Sequence, residues 1–320
     1  MPLRARKSAP PAPRPVVDPV ADAEWVPTLR EKETRSLDGT RIAYQVVGRG
    51  ERVLLLANGL GGRLYAWQPL IDALWRTHRL VTWDYRGLFD SDTPEDPGRL
   101  AVHHHVEDAL ALLEAEASGR AVLVGWSMGT LVSLDLAARH PSRVAGLVLL
   151  NGLHGHVFST GFQPLFTMPG LPRRLHATCE WVRRHPGALR RLARVGRFGR
   201  LPTIAAMAVT AGRRAPELHP MLQRYFEDVL GESFENYVRL FQELDAHSVY
   251  HLLPEVRAPA LVVAGALDVL TPPRQSREMA ERLPDAEYVE LLRATHFALL
   301  ERPEAVVPRI QRFLAARARW

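Results

Sequence analysis

Short apolar runs alternate with longer amphipathic segments along most of this chain. Continuous apolar runs of about five residues, bounded by turn residues, predict strands that are buried on both faces of a parallel sheet. Segments with apolar residues every three or four positions predict helices between them. The predicted strands are 53–57, 80–83, 121–125, 144–150, 260–264 and 288–292, and the predicted helices are 64–75, 102–116, 128–140, 274–283 and 304–316. This alternation predicts a mostly parallel sheet with helices on both faces.

The N-terminal part follows a different pattern. Runs at 33–37 and 41–47 flank Asp38-Gly39, a dipeptide that favours a tight hairpin turn, so two more strands are predicted there. Residues 1–27 are rich in proline, alanine and arginine and show no periodicity. We expect them to form a disordered basic tail.

The alternation stops after the strand at 144–150 and resumes at 260–264. Between them, residues 153–250 show helical patterns broken by proline and glycine, with no convincing strand. A helical block inserted into a continuing α/β pattern predicts a cap over one end of the sheet. The predicted organisation is therefore an α/β core of residues 28–152 and 251–320 with a helical cap of residues 153–250.

The net charge of +6 comes from the predicted cap. Segment 171–214 holds eleven arginines and a single acidic residue, Glu180, and apolar residues interleave with the arginines. Two interpretations fit: a solvated helix face whose apolar side packs on the core, which we favour, or an interfacial helix that makes peripheral contact with an anionic membrane. No recognition motif supports nucleic-acid binding.

Composition also bears on the cellular setting. The chain has one cysteine, Cys179, so it cannot form an intrachain disulfide, and no apolar run is long enough to cross a bilayer. Its first twenty residues lack the apolar region of a secretory signal. We therefore expect a soluble, cytoplasmic protein. The run of His103, His104 and His105 predicts a solvated helix start rather than a metal site, because adjacent helical residues point in different directions.

The strongest chemical signal is Gly125-Trp126-Ser127-Met128-Gly129. It fits the pattern G-x-S-x-G between a predicted strand and a predicted helix, where a serine nucleophile stands on a sharp turn. Such a serine needs a base and an orienting carboxylate, which follow it in the order acid, then histidine. Asp268 and His296 each follow a predicted strand in that order, so we predict Ser127, Asp268 and His296 as a catalytic triad.

Two backbone N–H groups are expected to stabilise the oxyanion of such a reaction. One belongs to the residue after the nucleophile, Met128. The other should lie in Asn58-Gly59-Leu60-Gly61-Gly62, directly after the strand at 53–57, and we assign it to Leu60.

These motifs resemble the α/β-hydrolase superfamily, in the branch with a helical cap after the sixth strand. The resemblance covers roughly residue 33 to the C-terminus and implies an eight-stranded, mostly parallel sheet flanked by helices. Asp84-Tyr85-Arg86-Gly87 resembles the D-x-R-G loop of that family, and Phe89 stands where a small residue is usual, so we expect it to narrow the pocket entrance. Asn58 replaces the usual histidine of the oxyanion loop, as in some intracellular polyester depolymerases and lipase-like members.

The identity of the nucleophile selects the reaction class. Epoxide hydrolases and haloalkane dehalogenases of this fold use aspartate, whereas Ser127 implies an acyl-enzyme. We predict hydrolysis of a small, largely apolar carboxylic ester, lactone or thioester, without metal or organic cofactor. The expected substrate contacts are Asn58, Gly59, Trp126, Phe158 and Phe297, and further cap residues that could line the pocket are Phe162, Phe166 and Met168.

Three alternatives stay open at this point. Carbon–carbon bond hydrolysis and acyl transfer to an acceptor other than water would use the same three residues. The third is a binding or interaction protein without turnover, whose working surface would be the basic cap.

Overall fold

The computed structural model describes residues 23–117, 119–161, 170–185, 218–229 and 234–320. Its described residues contain an eight-stranded sheet in the order β1-β2-β4-β3-β5-β6-β7-β8. The strands are β1 Arg30–Arg35, β2 Arg41–Val47, β3 Val53–Ala57, β4 Arg79–Trp83, β5 Ala121–Trp126, β6 Val144–Leu150, β7 Ala260–Gly265 and β8 Ala286–Leu291. β2 pairs antiparallel with β1 and β4, and all other neighbours are parallel, so the predicted fold class is confirmed.

The helices of the described ranges follow the strands as predicted. They are α1 Gln68–Leu74, α2 Val102–Glu116, α3 Met128–Arg139, α4 Val157–Thr160, α5 Leu171–Arg184, α6 His219–Val229, α7 Phe234–Ala246, α8 Pro273–Arg282, α9 Ala298–Glu301 and α10 Pro303–Ala316. The helix predicted over 64–75 divides into a 3₁₀ turn at Leu64–Trp67 and α1. Pro69 lies in the first turn of α1, where a missing N–H costs no helical hydrogen bond.

Both faces of the sheet are covered, which explains why its central strands are continuously apolar. Every residue of β3, β5, β6 and β7 is buried. Alternate side chains of β3 enter two clusters: Leu55 packs with residues of α2 and α3, while Leu54 and Leu56 pack with residues of α1 and α10. Strands buried on both faces lose the polar alternation of a half-exposed strand.

Trp25 corrects the predicted extent of the N-terminal tail. Residues 1–22 lie outside the described ranges, but Trp25 is fully buried in the α1–α10 cluster. Its indole Nε1 donates a hydrogen bond of 2.7 Å to Asp72 Oδ1. The prediction of disorder up to residue 27 is therefore wrong at its end, because a large buried aromatic residue anchors this part of the chain.

Helices α4 to α7 lie between β6 and β7, where the cap was predicted. A bridge between Gly155 and Ser248 joins the two ends of this segment. Asn236 of α7 donates a hydrogen bond of 2.8 Å to the carbonyl of Gly87, in the loop after β4. The helices therefore contact the edge of the sheet where the parallel strands end. The limits of the cap, 153–250, stay a prediction.

Only the first part of the arginine-rich segment is described, up to residue 185. There, α5 packs Leu175 and Cys179 against the core cluster, and Arg173, Arg174 and Arg184 are exposed. This is the arrangement of a solvated helix face with an apolar packing side. Membrane contact by segment 171–214 stays a prediction. Within the described ranges, no helix has both the length and the apolarity that a bilayer span requires.

His105 departs from the expected solvated helix start. Its side chain is fully buried, packs edge-on against Tyr85 at 4.9 Å, and has Nε2 3.2 Å from the carbonyl oxygen of Leu100. Burial lowers the pKa of His105 to about 3, so its ring is neutral in the folded protein.

Arg86 anchors the loop that follows β4. Its guanidinium is fully buried and makes two hydrogen bonds to Asp108, at 2.9 and 2.5 Å, and a third, at 2.9 Å, to Asp38 of the β1–β2 turn. A buried arginine between two carboxylates ties α2, the hairpin turn and this loop together.

Replacing Arg86 by methionine leaves Asp108 buried without its partner. We expect Arg86→Met to lower the free energy of unfolding by about 3–5 kcal/mol. Arg41→Met is the control, because Arg41 pairs with Glu33 and Asp92 at the surface, where the loss of an ion pair costs far less than in the interior. Urea denaturation measures both values, and equal costs for the two variants would contradict the anchoring role of Arg86.

Candidate active site

Ser127 stands on a strained turn between β5 and α3. Its backbone has φ 54° and ψ −117°, a conformation that residues other than glycine rarely adopt. The turn is held by a hydrogen bond of 3.1 Å from the N–H of Ser127 to the carbonyl of Leu150. Ser127 is only half-buried, whereas its sequence neighbours are buried. The turn therefore presents the hydroxyl-bearing residue to the space above the sheet.

The two glycines around Ser127 are required by close packing. A Cβ at Gly125 would lie 2.5 Å from the carbonyl oxygen of Gly129, and a Cβ at Gly129 would lie 1.9 Å from that of Ala57. Both distances are far inside van der Waals contact with backbone atoms. The sequence motif thus reports a place where α3 passes directly against β5 and β3.

His296 and Asp268 meet as predicted. Nδ1 of His296 lies 2.9 Å from Oδ2 of Asp268, and both side chains are buried. Asp268 follows β7 and His296 follows β8, so the two loops converge at the carboxyl ends of neighbouring parallel strands. His296 and Ser127 line the same cavity.

Asp268 is surrounded by donors that sequence reasoning missed. Oδ2 accepts hydrogen bonds from Asn151 Nδ2 at 2.8 Å and from Thr271 Oγ1 at 2.7 Å. Oδ1 accepts from the backbone N–H groups of Leu270 and Thr271, both at 2.9 Å. These hydrogen bonds fix the orientation of the carboxylate beside His296. The position of Asn151 directly after β6, at the same sheet edge, is the signal that could have identified it.

Glu301 holds the loop that carries His296. The backbone N–H of Thr295 donates 2.7 Å to Oε2 of Glu301, and the Thr295 hydroxyl donates to Oε1. Burial raises the pKa of Glu301, and the nearby Asp268 adds to that effect. Because both oxygens of this buried carboxylate bind Thr295, they restrict the backbone next to His296.

The predicted oxyanion loop forms a tight turn. The N–H of Gly62 donates 2.8 Å to the carbonyl of Gly59, and Gly61 has φ +82°. Neither Leu60 nor Met128 donates its N–H to a backbone carbonyl within the described residues. Leu60 lines the cavity together with Ser127.

The side chain of Asn58, predicted to contact substrate, is instead hydrogen-bonded within the protein. Its Nδ2 donates 2.7 Å to the carbonyl of Trp83, and its Oδ1 accepts 2.6 Å from Trp67 Nε1 and 3.2 Å from the Thr82 hydroxyl. The hydroxyl of Tyr85 donates 2.6 Å to the backbone carbonyl of Asn58. The amide is only 1 % exposed, so it anchors the start of the oxyanion loop to β4 rather than facing a ligand.

The cavity combines reactive groups with an apolar wall. Its described lining consists of Gly59, Leu60, Trp126, Ser127, Leu153, Val157, Tyr225, Tyr237, Phe241, Leu244, Leu270, Thr271 and His296. The apolar side chains come from the β6 end and helices α4 and α7 as well as from the Asp268 loop. Of the predicted contacts, Gly59 and Trp126 line this cavity.

The predicted aromatic contacts Phe158 and Phe297 lie behind the wall. Phe158 is fully buried and packs at 5.2 Å on Phe241, which itself lines the cavity. Phe297 packs at 5.2 Å on Trp126 and 5.8 Å on Tyr225. Both residues belong to the hydrophobic core and pack against the backs of side chains that line the cavity. Phe162, Phe166 and Met168 lie outside the described residues.

Phe89 is not among the described lining residues of the cavity, so a narrowing of the entrance by Phe89 stays a prediction. The guanidinium of Arg63 stacks on its ring at 4.7 Å. Arg63 also donates 3.2 Å to Oδ2 of Asp84 and 2.6 Å to Oδ2 of Asp90. Arg63 directly follows the oxyanion loop, so this cluster braces the far end of that loop.

Comparison with known proteins agrees with this fold. A family model for the α/β hydrolase fold matches residues 52–303. The chain belongs to the α/β-hydrolase fold family. Similar proteins named as a carbamate hydrolase, a depolymerase and an esterase agree with this assignment, and the chain is a hydrolase of that fold.

Two relatives and one solved structure illustrate the range of similar proteins. A putative carbamate hydrolase, RutD, from Caulobacter segnis is 29% identical over 298 residues, covering 88% of this chain and 98% of the relative. A poly(3-hydroxyalkanoate) depolymerase from Ectopseudomonas oleovorans is 31% identical over 266 residues, covering 82% and 83%. An esterase structure from Rhodococcus sp. aligns with a TM-score of 0.69 and 25% identity, covering 90% and 99%.

The packing of Gly129 yields a first prediction for this α/β hydrolase. Gly129→Ala forces α3 away from Ala57, the residue before the oxyanion loop, so the two predicted oxyanion donors separate. We expect the free energy of unfolding to fall by about 3 kcal/mol and kcat/KM for an ester to fall about 100-fold. Gly119→Ala is the control, because a Cβ there meets nothing within 4 Å. Thermal denaturation and ester kinetics that match the wild type in Gly129→Ala would refute the packing argument.

Asp84 yields a prediction about pH. Burial raises its pKa from 3.8 to about 6, although Arg63 opposes the shift. The folded protein therefore binds the Asp84 proton more tightly than the unfolded chain, and stability is lost as pH rises from about 4 to 6. Asp84→Asn should remove of the order of 2–3 kcal/mol of this decline.

The measurement for Asp84 is urea denaturation at several pH values between 4 and 8. The unfolding free energy of the wild type minus that of Asp84→Asn should decrease as the pH rises from about 4 to 6 and become constant at higher pH. Asp90→Asn is the control, since Asp90 contacts the same arginine from an exposed position. A constant difference across the pH range would show that Asp84 does not titrate there.

Proposed function

We propose that this α/β hydrolase cleaves carboxylic esters, including lactones or thioesters, with a largely apolar acyl group through an acyl-enzyme on Ser127. The observation that carries the proposal is the convergence of Ser127, the Asp268-linked His296 and the Leu60 turn on one cavity. A serine on a strained turn beside an oriented histidine is the arrangement that nucleophilic acyl transfer requires.

The proposed cycle assigns one task to each group. Because Nδ1 of His296 faces Asp268, its Nε2 accepts the proton of the Ser127 hydroxyl as the oxygen attacks the carbonyl carbon. The N–H groups of Leu60 and Met128 stabilise the oxyanion. His296 then protonates the leaving alcohol, and an activated water releases the acid and restores Ser127.

The wall of the cavity favours an apolar acyl group. Its described part contains the apolar side chains of Leu60, Trp126, Leu153, Val157, Phe241, Leu244 and Leu270. His296 is the one ionisable group in that described lining apart from the tyrosine hydroxyls. Apolar surface of this kind gains free energy when a hydrocarbon chain covers it. A charged acyl group would lose its hydration there without gaining a described ionic partner.

The names of the relatives bear on the bond that is broken. The poly(3-hydroxyalkanoate) depolymerase is named for a polyester, and the Rhodococcus protein is named as an esterase. Both names support an acyl–oxygen bond as the target here. The RutD relatives are named as putative hydrolases of a carbamate, whose carbonyl carbon carries nitrogen. The apolar wall supports an ester with an apolar acyl group and gives no specific support to a carbamate.

A fluorophosphonate probe tests the nucleophile, because it phosphonylates an activated serine. We expect labelling of the wild type and none of Ser127→Ala, with matching far-UV circular dichroism to show that the variant is folded. Loss of ester turnover in Ser127→Ala should exceed 10³-fold. A folded wild type that neither reacts with the probe nor hydrolyses any ester would favour the non-catalytic alternative.

A series of nitrophenyl esters tests the acyl group. We expect kcat/KM to rise from acetate to medium-length acyl chains, by about 3-fold per added methylene that reaches the apolar wall. Nitrophenyl carbamates and a vinylogous diketone serve as the competing substrates, for carbamate and carbon–carbon bond cleavage respectively. Preference for either, with no rise along the ester series, would contradict the proposal.

A further inference from the structure

Two tyrosines from the helices between β6 and β7 reach the turn that carries the proposed oxyanion donor. The hydroxyl of Tyr225, on α6, donates 2.7 Å to the carbonyl oxygen of Leu60. The hydroxyl of Tyr237, on α7, lies 3.5 Å from the same oxygen, and the two hydroxyls also hydrogen-bond each other. Both tyrosines line the cavity, and neither was predicted from the sequence.

The turn at Leu60 depends on how its central peptide is oriented. The bond from Gly62 N–H to the Gly59 carbonyl closes a β-turn in which Leu60 and Gly61 are the central residues. Gly61 has φ +82° and Leu60 does not have a positive φ, which defines a type II turn. A type I turn differs by a flip of the peptide between Leu60 and Gly61. Glycine at the second central position leaves both forms sterically accessible, so a contact must select one.

Tyr225 and Tyr237 supply that contact. In the type II turn the Leu60 carbonyl points at the two hydroxyls, and a flipped peptide would turn its N–H toward them instead. A Cβ on Gly61 would lie 2.7 Å from Val229 and 3.0 Å from Tyr237, so α6 and α7 also close on the turn sterically. The hydroxyls thus restrain the carbonyl of Leu60. The N–H of Leu60 belongs to the preceding peptide, which is held by the hydrogen bond from Gly62 to the carbonyl of Gly59. Leu60 is therefore restrained on both sides.

The tyrosines are themselves held firmly. The ring of Tyr225 packs at 5.8 Å on Phe297 and 6.3 Å on Trp126, the residue before Ser127. Burial raises the pKa of Tyr225 and of Tyr237, so both hydroxyls are protonated and able to donate at neutral pH.

We propose that Tyr225, supported by Tyr237, is a positioning residue that holds Leu60 in the geometry needed to bind the oxyanion. The inserted helices then do more than shape the pocket, because the oxyanion hole is complete only while α6 and α7 rest on the Leu60 turn. The inference rests on the proposed function, since it concerns the same acyl-transfer site.

The test compares tyrosine-to-phenylalanine variants, which keep the ring and remove only the hydroxyl. In Tyr225→Phe we expect kcat for the best nitrophenyl ester to fall about 10-fold, less than the 10²–10³ lost when an oxyanion donor is deleted outright. KM should stay within 2-fold. Tyr237→Phe should show a smaller loss, because its hydroxyl lies farther from the Leu60 oxygen.

Inhibition distinguishes positioning of the oxyanion hole from a general structural effect. A trifluoromethyl ketone with the same acyl chain forms an oxyanion on Ser127, whereas the matching methyl ketone binds mainly as a neutral ground-state analogue. In Tyr225→Phe the inhibition constant of the trifluoromethyl ketone should rise by the factor lost in kcat/KM, and that of the methyl ketone should not change. Rates are normalised to the fraction of protein that the fluorophosphonate titrates.

Tyr65→Phe is the matched control. Its hydroxyl also joins the core to α6, by a 3.2 Å hydrogen bond to Asp228, but it does not contact Leu60. Tyr65→Phe should therefore retain wild-type kcat and trifluoromethyl ketone binding. If Tyr225→Phe behaves like Tyr65→Phe in an active enzyme, the inference is overturned and the proposed function stands. An inactive wild type would overturn both.

Discussion

The passage of Gly129 against the carbonyl of Ala57 is the contact on which the site depends. It lets α3 start immediately above β3, with no side chain between the two backbones. Consequently Met128, at the start of α3, and the loop that begins at Asn58 lie next to each other at the carboxyl ends of β5 and β3. The strained backbone of Ser127 lies between two close backbone contacts, at Gly125 and Gly129, and strain of this kind persists only where the surrounding packing fixes it.

Buried polar networks hold the remaining parts of the site in place. Asp268 is oriented by Asn151, Thr271 and two backbone N–H groups. Glu301 accepts a hydrogen bond from Thr295 and so holds the residue before His296. Asn58 and Arg86 fix the loops after β3 and β4. Each of these groups is buried and hydrogen-bonded, and an unsatisfied one would cost about 1–3 kcal/mol. The site is therefore stiff because its supports cannot move without losing partners.

The helices between β6 and β7 complete the arrangement from above. Phe241 and Leu244 of α7 form part of the apolar wall, and Tyr225 of α6 bonds to the Leu60 turn. One set of contacts thus serves both the shape of the pocket and the geometry of the oxyanion hole. In this proposal, a substitution in these helices that changes which acyl group is accepted would also shift the Leu60 turn. Substrate specificity and reaction rate would therefore change together.

The sequence by itself determined the alternation of strands and helices, because burial on both faces leaves a continuous apolar run that is readable locally. It also determined the placement of Ser127, since the two glycines that flank it form a motif readable within five residues, and the order of Asp268 and His296 after their strands. Segments with mixed patterns were less well specified: Trp25 looked like part of a disordered tail, because the cluster that buries it comes from residues far along the chain.

Only the tertiary structure decided which side chains face the cavity. Asn58, Phe158 and Phe297 are residue types that often contact ligands. Their side chains instead contact residues of other elements, which are Trp83, Phe241 and Trp126. The roles of Thr271 and the two tyrosines could not be predicted either, because hydrogen bonds between distant parts of a chain leave no periodic signal; for Asn151 only its position after β6 pointed to the site. Periodicity reports how a residue sits on its own element, whereas a site is made where several elements meet.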